Sequence, residues 1–445
     1  MDADVIVIGA GVAGLAAARS LTARSQRVIL VEARDRVGGR VWSDSSVRGA
    51  LAAELGAEFI HGRAAETMAL LRAAGTTAID IGGESWRVSD DGELRRDDDD
   101  DDFTSASGIF EGARMLARDE SANRFLQRFH KDKAMQGTVR AARAFVEGFD
   151  AADPDVASAR AIADEWRSGV GFTIARPLGG YGPMVEYLYN TCRATRVCSR
   201  LSTVVRRISW RRGAVSLEVR GAQGDTQILR CRVAILTLPV GVLRHSGDDT
   251  EIVFDPELPN PKRDALQSIE TGQAVRVGMW FRTPFWERIC DGRYRNGAFF
   301  RSLAQPFAVY WTQLPVRSEL VVAWAGRPKA MALSGASEED LVRLAVDGFG
   351  ALLGDPALAH EEFELGVTTD WSRDPFARGA YSYVAVGGAD ARARLAAPVD
   401  DTLFFAGEAT SNDSEGGTVN GALETGERAA RQAAASLGAQ RVNNG

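Results

Sequence analysis

The chain opens on the run Asp4-Val5-Ile6-Val7-Ile8-Gly9-Ala10-Gly11-Val12-Ala13-Gly14, in which an apolar strand leads into a glycine-rich turn and then a helical stretch. In a βαβ unit, Gly9 permits the tight turn, Gly11 lets the backbone approach a pyrophosphate, and Gly14 lets helix and strand pack closely. The N–H groups at the start of the helix face the phosphates, and the helix dipole favours their negative charge. This stretch therefore predicts an α/β fold with a dinucleotide site.

A second predicted strand, Val28-Ile29-Leu30-Val31, ends on the acidic residue Glu32. A carboxylate at the tip of the second strand can accept hydrogen bonds from both hydroxyls of a ribose. Glycines at this spacing also occur in ordinary turns between a strand and a helix, so the glycine pattern alone is weak evidence. The order strand, helix, strand and acid favours the dinucleotide site over that alternative.

Length and composition limit the class of protein. With 445 residues the chain is long enough for two domains, and its net charge of −7 argues against nucleic acid as a general partner. Four cysteines form no C-x-x-C pair and no ligand cluster with the four histidines, so we expect no metal site and a reduced, cytoplasmic location. No apolar run approaches the roughly 18 residues of a membrane span, so we expect no membrane association.

Changes in residue pattern divide the chain into separated pieces, without an internal repeat. We expect a discontinuous cofactor-binding domain from residues 1–80, 195–260 and 395–445, and a substrate-binding domain from residues 81–194 and 261–394. A side-chain period of two predicts strands at 202–208, 214–219 and 233–238, forming a small meander before the chain returns to the first sheet. A catalytic pocket is expected where the two domains meet.

An unbroken acidic run, Asp97–Asp102, follows two arginines. Blocks of like charge repel one another and are usually solvated, so we expect a loop here rather than part of a packed element. The alternative is a surface that attracts a polycationic substrate towards an entrance.

Two further segments resemble signatures of a known family. The run Glu32-Ala33-Arg34-Asp35-Arg36-Val37-Gly38-Gly39-Arg40 resembles the second signature of the glutathione-reductase-type flavoproteins, and nicotinamide enzymes lack its G-G-R. Near the C-terminus, Leu403-Phe404-Phe405-Ala406-Gly407-Glu408-Ala409-Thr410 and Gly416-Gly417-Thr418-Val419-Asn420-Gly421-Ala422 resemble the closing signature of the flavin amine oxidases. That family comprises monoamine oxidases, polyamine oxidases, L-amino-acid oxidases and the flavin-type histone lysine demethylases.

The resemblance implies a fold and a cofactor. The fold is α/β, or α+β overall: a glutathione-reductase-type FAD-binding Rossmann domain with an inserted substrate domain of mixed sheet and helices. In the family, the acid at the position of Glu408 lies by the ribityl chain and pyrophosphate, and the helix near Thr418 points its N–H groups at the flavin ring. The implied FAD-binding residues are Gly9, Gly11, Ala13, Gly14, Glu32, Ala33, Arg34, Gly39, Arg40, Gly56, Ala57, Glu58, Phe59, Val205, Trp371, Gly407, Glu408, Thr418 and Val419.

The resemblance also implies the residues around the substrate. The segment from Trp371 to Tyr383 resembles the family's W-x-x-D-P-x-x-x-G-x-Y-S, so Trp371 packs by the flavin and Tyr381 forms one wall of an aromatic cage for the amine. The other wall falls at Gly417, which makes the cage one-sided and leaves room for a bulkier substrate. His61, in an I-H-G stretch as in animal polyamine oxidases, either hydrogen-bonds a substrate amine or is a structural residue of the turn.

Two departures from the family pattern are informative. Ala380 stands where monoamine oxidases have the cysteine that binds the flavin covalently, so FAD attachment should be non-covalent. Arg276 stands where the family usually has a lysine that holds a water at flavin N5 and is implicated in oxygen reactivity. Arginine keeps the charge but cannot deprotonate and presents a planar fork, so this replacement argues against fast reoxidation by oxygen.

The resemblance therefore predicts an FAD-dependent amine oxidase. A polyamine or another primary or secondary amine would be oxidised to an imine by hydride transfer to flavin N5, and O₂ would reoxidise the flavin and give H₂O₂. Three alternatives stay open: an L-amino-acid oxidase, a non-amine flavin oxidase or desaturase, and a flavin-binding protein with weak or no oxidase activity. Its partners would be a small amine and O₂, with a homodimer as one option for assembly.

Overall fold

The computed structural model describes residues 1–44, 52–89, 91–97, 102–167, 174–412 and 415–442. It combines a parallel sheet, mixed and antiparallel sheets and a group of helices, which confirms the predicted fold class. The acidic run Asp97–Asp102 was predicted to be a loop, but most of its residues lie outside the described part of the chain. Asp97 ends the strand Leu94–Asp97, and the next described residue begins the helix Asp102–Glu111.

Five parallel strands form the sheet that the opening segment predicted. In spatial order they are Cys198–Arg200, Val28–Val31, Val5–Ile8, Val233–Leu236 and Leu403–Phe405.

The central strand alternates between two cores, as the period of a strand requires. Val5 and Val7 pack with the helices Val12–Thr22, Gly182–Ala194 and Val419–Val442, whereas Ile6 and Ile8 pack on the opposite face. The first helix lies very close to the strand before it, because a Cβ atom at Gly14 would overlap the carbonyl oxygen of Gly9. Gly14 thus has the packing role that its position in the motif predicted.

A four-stranded sheet covers that opposite face, in the order Thr226–Cys231, Ala214–Arg220, Val204–Arg211 and Val253–Asp255. The sequence interpretation was wrong about the last strand of the meander. The segment predicted at 233–238 is the strand Val233–Leu236 of the parallel sheet, and Thr226–Cys231 takes its place. Four of the six residues of Thr226–Cys231 are exposed, so this strand lacks the alternation that revealed its neighbours.

A seven-stranded mixed sheet forms the centre of the inserted region. Its strands, in spatial order, are Phe363–Asp370, Ala274–Phe281, Leu320–Gly326, Val309–Trp311, Gly297–Arg301, Glu84–Val88 and Leu94–Asp97. All eight residues of Ala274–Phe281 are buried, because the helix Glu338–Leu353 covers one face of this strand and the cavity region lies on the other. This sheet therefore supplies one wall of the candidate site.

Helices complete the inserted region around an aromatic core. The helices Asp102–Glu111, Ala122–Leu126, Gln136–Gly148 and Ala159–Arg167 pack around Phe110 and Trp166, which are almost fully buried. The remaining helices are Ala65–Ala73, Val240–Leu243, Asn260–Gln267, Lys329–Leu333, Pro356–Glu362 and Ala391–Ala396. The remaining strands are Ser43–Asp44, Ala53–Glu54, Ile60–His61, Ala78–Asp80, Ile174–Pro177, Ile269–Thr271 and Ser382–Val384. Among the described residues, no helix has the length and apolar character needed to cross a membrane.

A buried carboxyl group lies between the small strands and the helix Gly182–Ala194. Glu54 Oε1 accepts hydrogen bonds from Ser43 Oγ at 2.6 Å and from the Tyr181 N–H at 2.8 Å. Its other oxygen is buried and has no hydrogen-bond partner among the described residues. Burial raises the pKa of Glu54 to about 7, against which these two hydrogen bonds act only partly.

Substituting Glu54→Gln should flatten the dependence of stability on pH. Because the pKa is raised in the folded chain, the fold binds a proton more tightly than the unfolded chain does, and stability is lost as pH rises from about 4.5 to about 7. Each pKa unit corresponds to about 1.4 kcal/mol, so the wild type should lose about 3 kcal/mol relative to the variant over this range. Urea unfolding between pH 5 and 8 measures the difference, with Glu93→Gln at an exposed position as control. Parallel curves for wild type and variant would contradict the assignment.

Candidate active site

A cavity of about 990 Å³ extends from the C-terminal ends of the parallel strands to the seven-stranded sheet and the helical region. Every residue predicted from the sequence to bind cofactor or substrate lines this cavity, except Gly14, which packs behind the glycine-rich turn. The lining set comprises Gly9, Gly11, Ala13, Glu32, Ala33, Arg34, Gly39, Arg40, Gly56, Ala57, Glu58, Phe59, His61, Val205, Arg276, Trp371, Tyr381, Gly407, Glu408, Thr418 and Val419.

One end of the cavity has the chemistry that a dinucleotide needs. No side chain caps the helix that begins after Gly11, so its first N–H groups point towards the cavity end. A Cβ atom at Gly11 would meet other atoms only at 3.9 Å, so the glycine leaves open space beside the turn. The Glu32 carboxylate accepts the Ala10 N–H at 2.7 Å and the Arg34 N–H at 2.9 Å, one on each oxygen. Each oxygen keeps a lone pair for a ribose hydroxyl. These residues fit the nucleotide part of a flavin dinucleotide.

A second carboxylate connects the two ends of the chain. Glu408 accepts hydrogen bonds from Arg40 at 3.1 Å, from Ser382 Oγ at 2.6 Å and from the Gly417 N–H at 3.1 Å. Burial alone would raise the pKa of Glu408, but Arg40 and Arg392 together hold it below its usual value. Arg40 was predicted to bind the cofactor, and the structure places its guanidinium between Glu408 and the Ala380 carbonyl oxygen, at 2.5 Å from the latter.

Arg276 lies in a buried cluster of charges. Its guanidinium donates to Glu58 Oε2 at 2.5 Å and to the Gly56 carbonyl oxygen at 3.3 Å. Arg176 lies 3.4 Å from the other oxygen of Glu58, and the indole N–H of Trp311 lies 3.1 Å from both oxygens. Burial would raise the pKa of Glu58, yet the two arginines hold it below its usual value. Glu58 was predicted to bind cofactor; in this geometry its carboxylate is the counter-ion of two arginines.

The predicted aromatic residues occupy one region of the cavity. The Trp371 indole N–H donates to the Leu55 carbonyl oxygen at 3.1 Å, and the Tyr381 hydroxyl donates to the Phe149 carbonyl oxygen. Burial raises the pKa of Tyr381, and the nearby carboxylate of Asp150 raises it further.

Gly417, at the predicted second wall of the aromatic cage, lies in contact with Tyr381, the first wall. A Cβ atom there would be 3.4 Å from Tyr381 Cδ2, so the glycine packs on the tyrosine ring and no cage partner faces the ring from this position. His61 lines the cavity, with its ring edge-on to Phe149 at 5.1 Å between centroids and 6.2 Å from Phe59. These contacts fit both sequence interpretations of His61.

Several lining residues carry no sequence signal. Asp150, Glu165 and Trp311 belong to no motif, and only the folding of the inserted region brings them to the cavity. Arg176 and Arg392 also belong to no motif, and they lie behind the lining residues Glu58 and Glu165. What these residues share in the sequence is only that each is polar or charged within an otherwise apolar or helical segment. Such residues occur too often in proteins to identify a site. The described residues hold no cluster of three or more His, Cys, Asp or Glu side chains suited to a metal ion.

Comparison with known proteins agrees with this geometry. The family described as flavin containing amine oxidoreductase matches residues 12–90 and 109–434. Polyamine oxidase 4 of Oryza sativa subsp. japonica is 29% identical over 96% of this chain and 88% of its own. Lysine-specific histone demethylase 1B of Mus musculus is 26% identical over 97% of this chain and 53% of its own.

Solved structures share the fold. Putrescine oxidase bound to putrescine has a TM-score of 0.78 at 22% identity and covers 97% of this chain and 98% of its own. Cyclohexylamine oxidase from Brevibacterium oxydans IH-35A has a TM-score of 0.77 at 21% identity, with 99% of both chains covered. Since the family match spans most of the sequence, the chain belongs to the flavin containing amine oxidoreductases. It is a flavin-dependent enzyme that acts on the C–N group of amines.

Substituting Glu58→Gln should destabilise the fold by about 3–5 kcal/mol, because it leaves two buried guanidinium groups without a counter-ion. Urea unfolding of the holoenzyme measures the loss. The matched control is Glu84→Gln, which breaks the exposed pair with Arg96 (3.0 Å) and should cost less than about 1 kcal/mol. Equal, small losses in both variants would show that the buried cluster does not hold the cavity together.

Proposed function

We propose that the protein is an FAD-dependent amine oxidase that holds its cofactor non-covalently, converts an amine to an imine and uses O₂ as electron acceptor, with H₂O₂ as product. The observation that carries the proposal is the continuity of the cavity. One continuous cavity joins the Glu32 end, which suits a nucleotide, to the Tyr381 end, which suits an amine.

The whole length of the cavity supports FAD over a shorter flavin. The uncapped helix start and Glu32 suit a pyrophosphate and an adenosine ribose, while Trp371, Gly417 and Thr418 line the distant part where a flavin ring would lie. Covalent attachment has no candidate at the family's position, because Ala380 offers no nucleophile there. The residues of both ends therefore fit a dinucleotide held by hydrogen bonds and packing alone.

The protein residues bind the amine and control its charge. A bound flavin supplies the hydride acceptor for the amine's α C–H bond. The Tyr381 ring is fixed by its hydrogen bond to Phe149 and offers an aromatic wall, which attracts a cation and then orients the neutral amine. No side-chain base is needed for an amine that arrives deprotonated. The apolar lining excludes bulk water from the imine until it leaves the cavity.

A second candidate function is the oxidation of an amine that carries a carboxylate, such as an L-amino acid. It is favoured by five cationic residues that line the outer part of the cavity: Arg87, Arg140, Arg301, Arg327 and Lys329. Their charge is partly compensated, because Arg87 lies 2.7 Å from Asp97 and Arg327 lies 3.3 Å from Asp153. Because these ion pairs reduce the positive charge available to bind a carboxylate, an amine without a carboxylate is the preferred substrate.

Acid denaturation of the purified yellow holoprotein should release all of its flavin into solution, because Ala380 forms no bond to the ring. Mass spectrometry of the released cofactor should give the mass of FAD. Flavin that stays with the precipitated polypeptide would contradict non-covalent binding, and the mass of a mononucleotide would contradict the two-ended site.

Anaerobic mixing with a panel of amines tests the reaction itself. Diamines and polyamines should bleach the flavin absorbance faster than L-amino acids of similar size, because the inner cavity presents an aromatic wall and carboxylates to the substrate. Rapid-mixing absorbance measures the rate for each compound, and admission of air with peroxide assay then tests reoxidation. Bleaching by L-amino acids alone would favour the second candidate, and a flavin that no amine bleaches would refute amine oxidation.

A further inference from the structure

Asp150 is a carboxylate inside the substrate cavity that the reaction proposed above does not use. It follows the helix Gln136–Gly148 and lines the cavity together with Phe149. The indole N–H of Trp166 donates to both of its oxygens, at 3.3 and 3.2 Å. Among the described residues, no cation lies within ion-pair distance of Asp150, whereas the cavity carboxylates Glu58 and Glu408 each have an arginine partner.

The Tyr381 side chain lies between Gly417 and the residue that precedes Asp150. The Cβ and Cδ2 side of the tyrosine faces Gly417, at the start of the last helix, with 3.4 Å to a Cβ built on that glycine. The hydroxyl group, at the opposite end of the ring, donates to the carbonyl oxygen of Phe149, the residue before Asp150. The Gly417 backbone and the Phe149 carbonyl thus lie at opposite ends of the tyrosine side chain.

The neighbouring charges leave this part of the cavity negative. Glu165 lies close enough to Asp150 to act on its ionisation, and Arg392 is already bound to Glu165 at 2.9 Å and to Ser382 Oγ at 2.7 Å. Two carboxylates thus share one guanidinium. Burial raises the pKa of Asp150 well above its usual value and Glu165 raises it further, while the Trp166 hydrogen bond and Arg392 lower it too little to compensate.

We propose that Asp150 binds the second ammonium group of a diamine whose other amino group is oxidised beside Tyr381. The proposal rests on the function proposed above and names its substrate class. The aromatic side chains of Phe145 and Phe149, which also line the cavity, would pack on the methylene groups between the two nitrogens. A monoamine of the same length would fit the same space but leave the carboxylate without its cation.

The variant Asp150→Asn tests the proposal by comparing 1,4-diaminobutane with butylamine. Anaerobic rapid mixing of the holoenzyme separates the dissociation constant from the limiting rate of flavin reduction. Losing an ion pair in a buried site should raise the dissociation constant of 1,4-diaminobutane roughly 10- to 100-fold and leave that of butylamine within about 3-fold. Equal weakening of both amines, or no change for the diamine, would overturn the proposal.

Two further variants control for folding and position. Asp164 precedes Glu165 in the sequence and is an exposed carboxylate that pairs with Arg114. The variant Asp164→Asn should leave the dissociation constants of both amines unchanged. Asp150→Glu keeps the charge but extends the side chain by one methylene, so its preference should shift towards 1,3-diaminopropane. If Asp150→Asn fails to fold, this change of preferred chain length still decides the question, and an unchanged preference counts against the proposal.

A binding measurement separates this inference from the proposed function. Thermal unfolding of the holoenzyme should show greater stabilisation by 1,4-diaminobutane than by butylamine, and Asp150→Asn should remove the difference. If the diamine stabilises the wild type in this way but never reduces the flavin, the oxidase function fails while the ammonium site stands. If butylamine is oxidised and the diamine shows no extra stabilisation, the function stands and the site is refuted.

Discussion

The carboxylate of Glu58 is the contact on which the geometry of the cavity depends. It joins three parts of the chain that are distant in sequence: the segment after the strand Ala53–Glu54, Arg176 on the strand Ile174–Pro177, and Arg276 in the seven-stranded sheet. Any one of these charges left alone in the interior would carry a large desolvation penalty, so the fold is favourable only when all three meet. Because Arg276 also binds the Gly56 carbonyl oxygen, this requirement fixes backbone that lines the cavity.

Glu408 applies the same constraint to the other side of the cavity. It gathers Arg40 from the run that begins at Glu32, Ser382 from the strand beside Tyr381 and the backbone of Gly417 before the last helix. The planar guanidinium of Arg40 reaches Glu408 with one nitrogen and the Ala380 carbonyl oxygen with another, which the point charge of a lysine does less well. Two buried carboxylates, each bound by arginine, thus hold distant parts of the chain together around the cavity.

The part of the fold that is encoded locally could be predicted from the sequence. The strand Val5–Ile8, the glycines after it and Glu32 stand within one continuous stretch, and each residue type has a direct geometric reason. Asp150 and Arg176 could not be assigned, because their partners are set by packing between segments far apart in the chain. The strand Thr226–Cys231 was missed because its exposed residues carry no alternation.

The distribution of charge along the cavity explains how an amine could be both attracted and neutralised. Arg276 and Arg176 share the carboxylate of Glu58, and Glu54 close by has a pKa raised to about 7, so the region near Gly56 carries an excess positive charge while Glu54 is protonated. Elsewhere in the cavity, Asp150 and Glu165 share Arg392, so an ionised Asp150 leaves an excess negative charge there. In a low-dielectric cavity this gradient stabilises an ammonium group at Asp150 and disfavours one near Arg276. An amino group held at the positive end would lose its proton more readily, and the neutral amine is the form that can give up a hydride. The same excess positive charge would stabilise negative charge on a bound cofactor, and such an electrostatic effect of Arg276 needs no deprotonation.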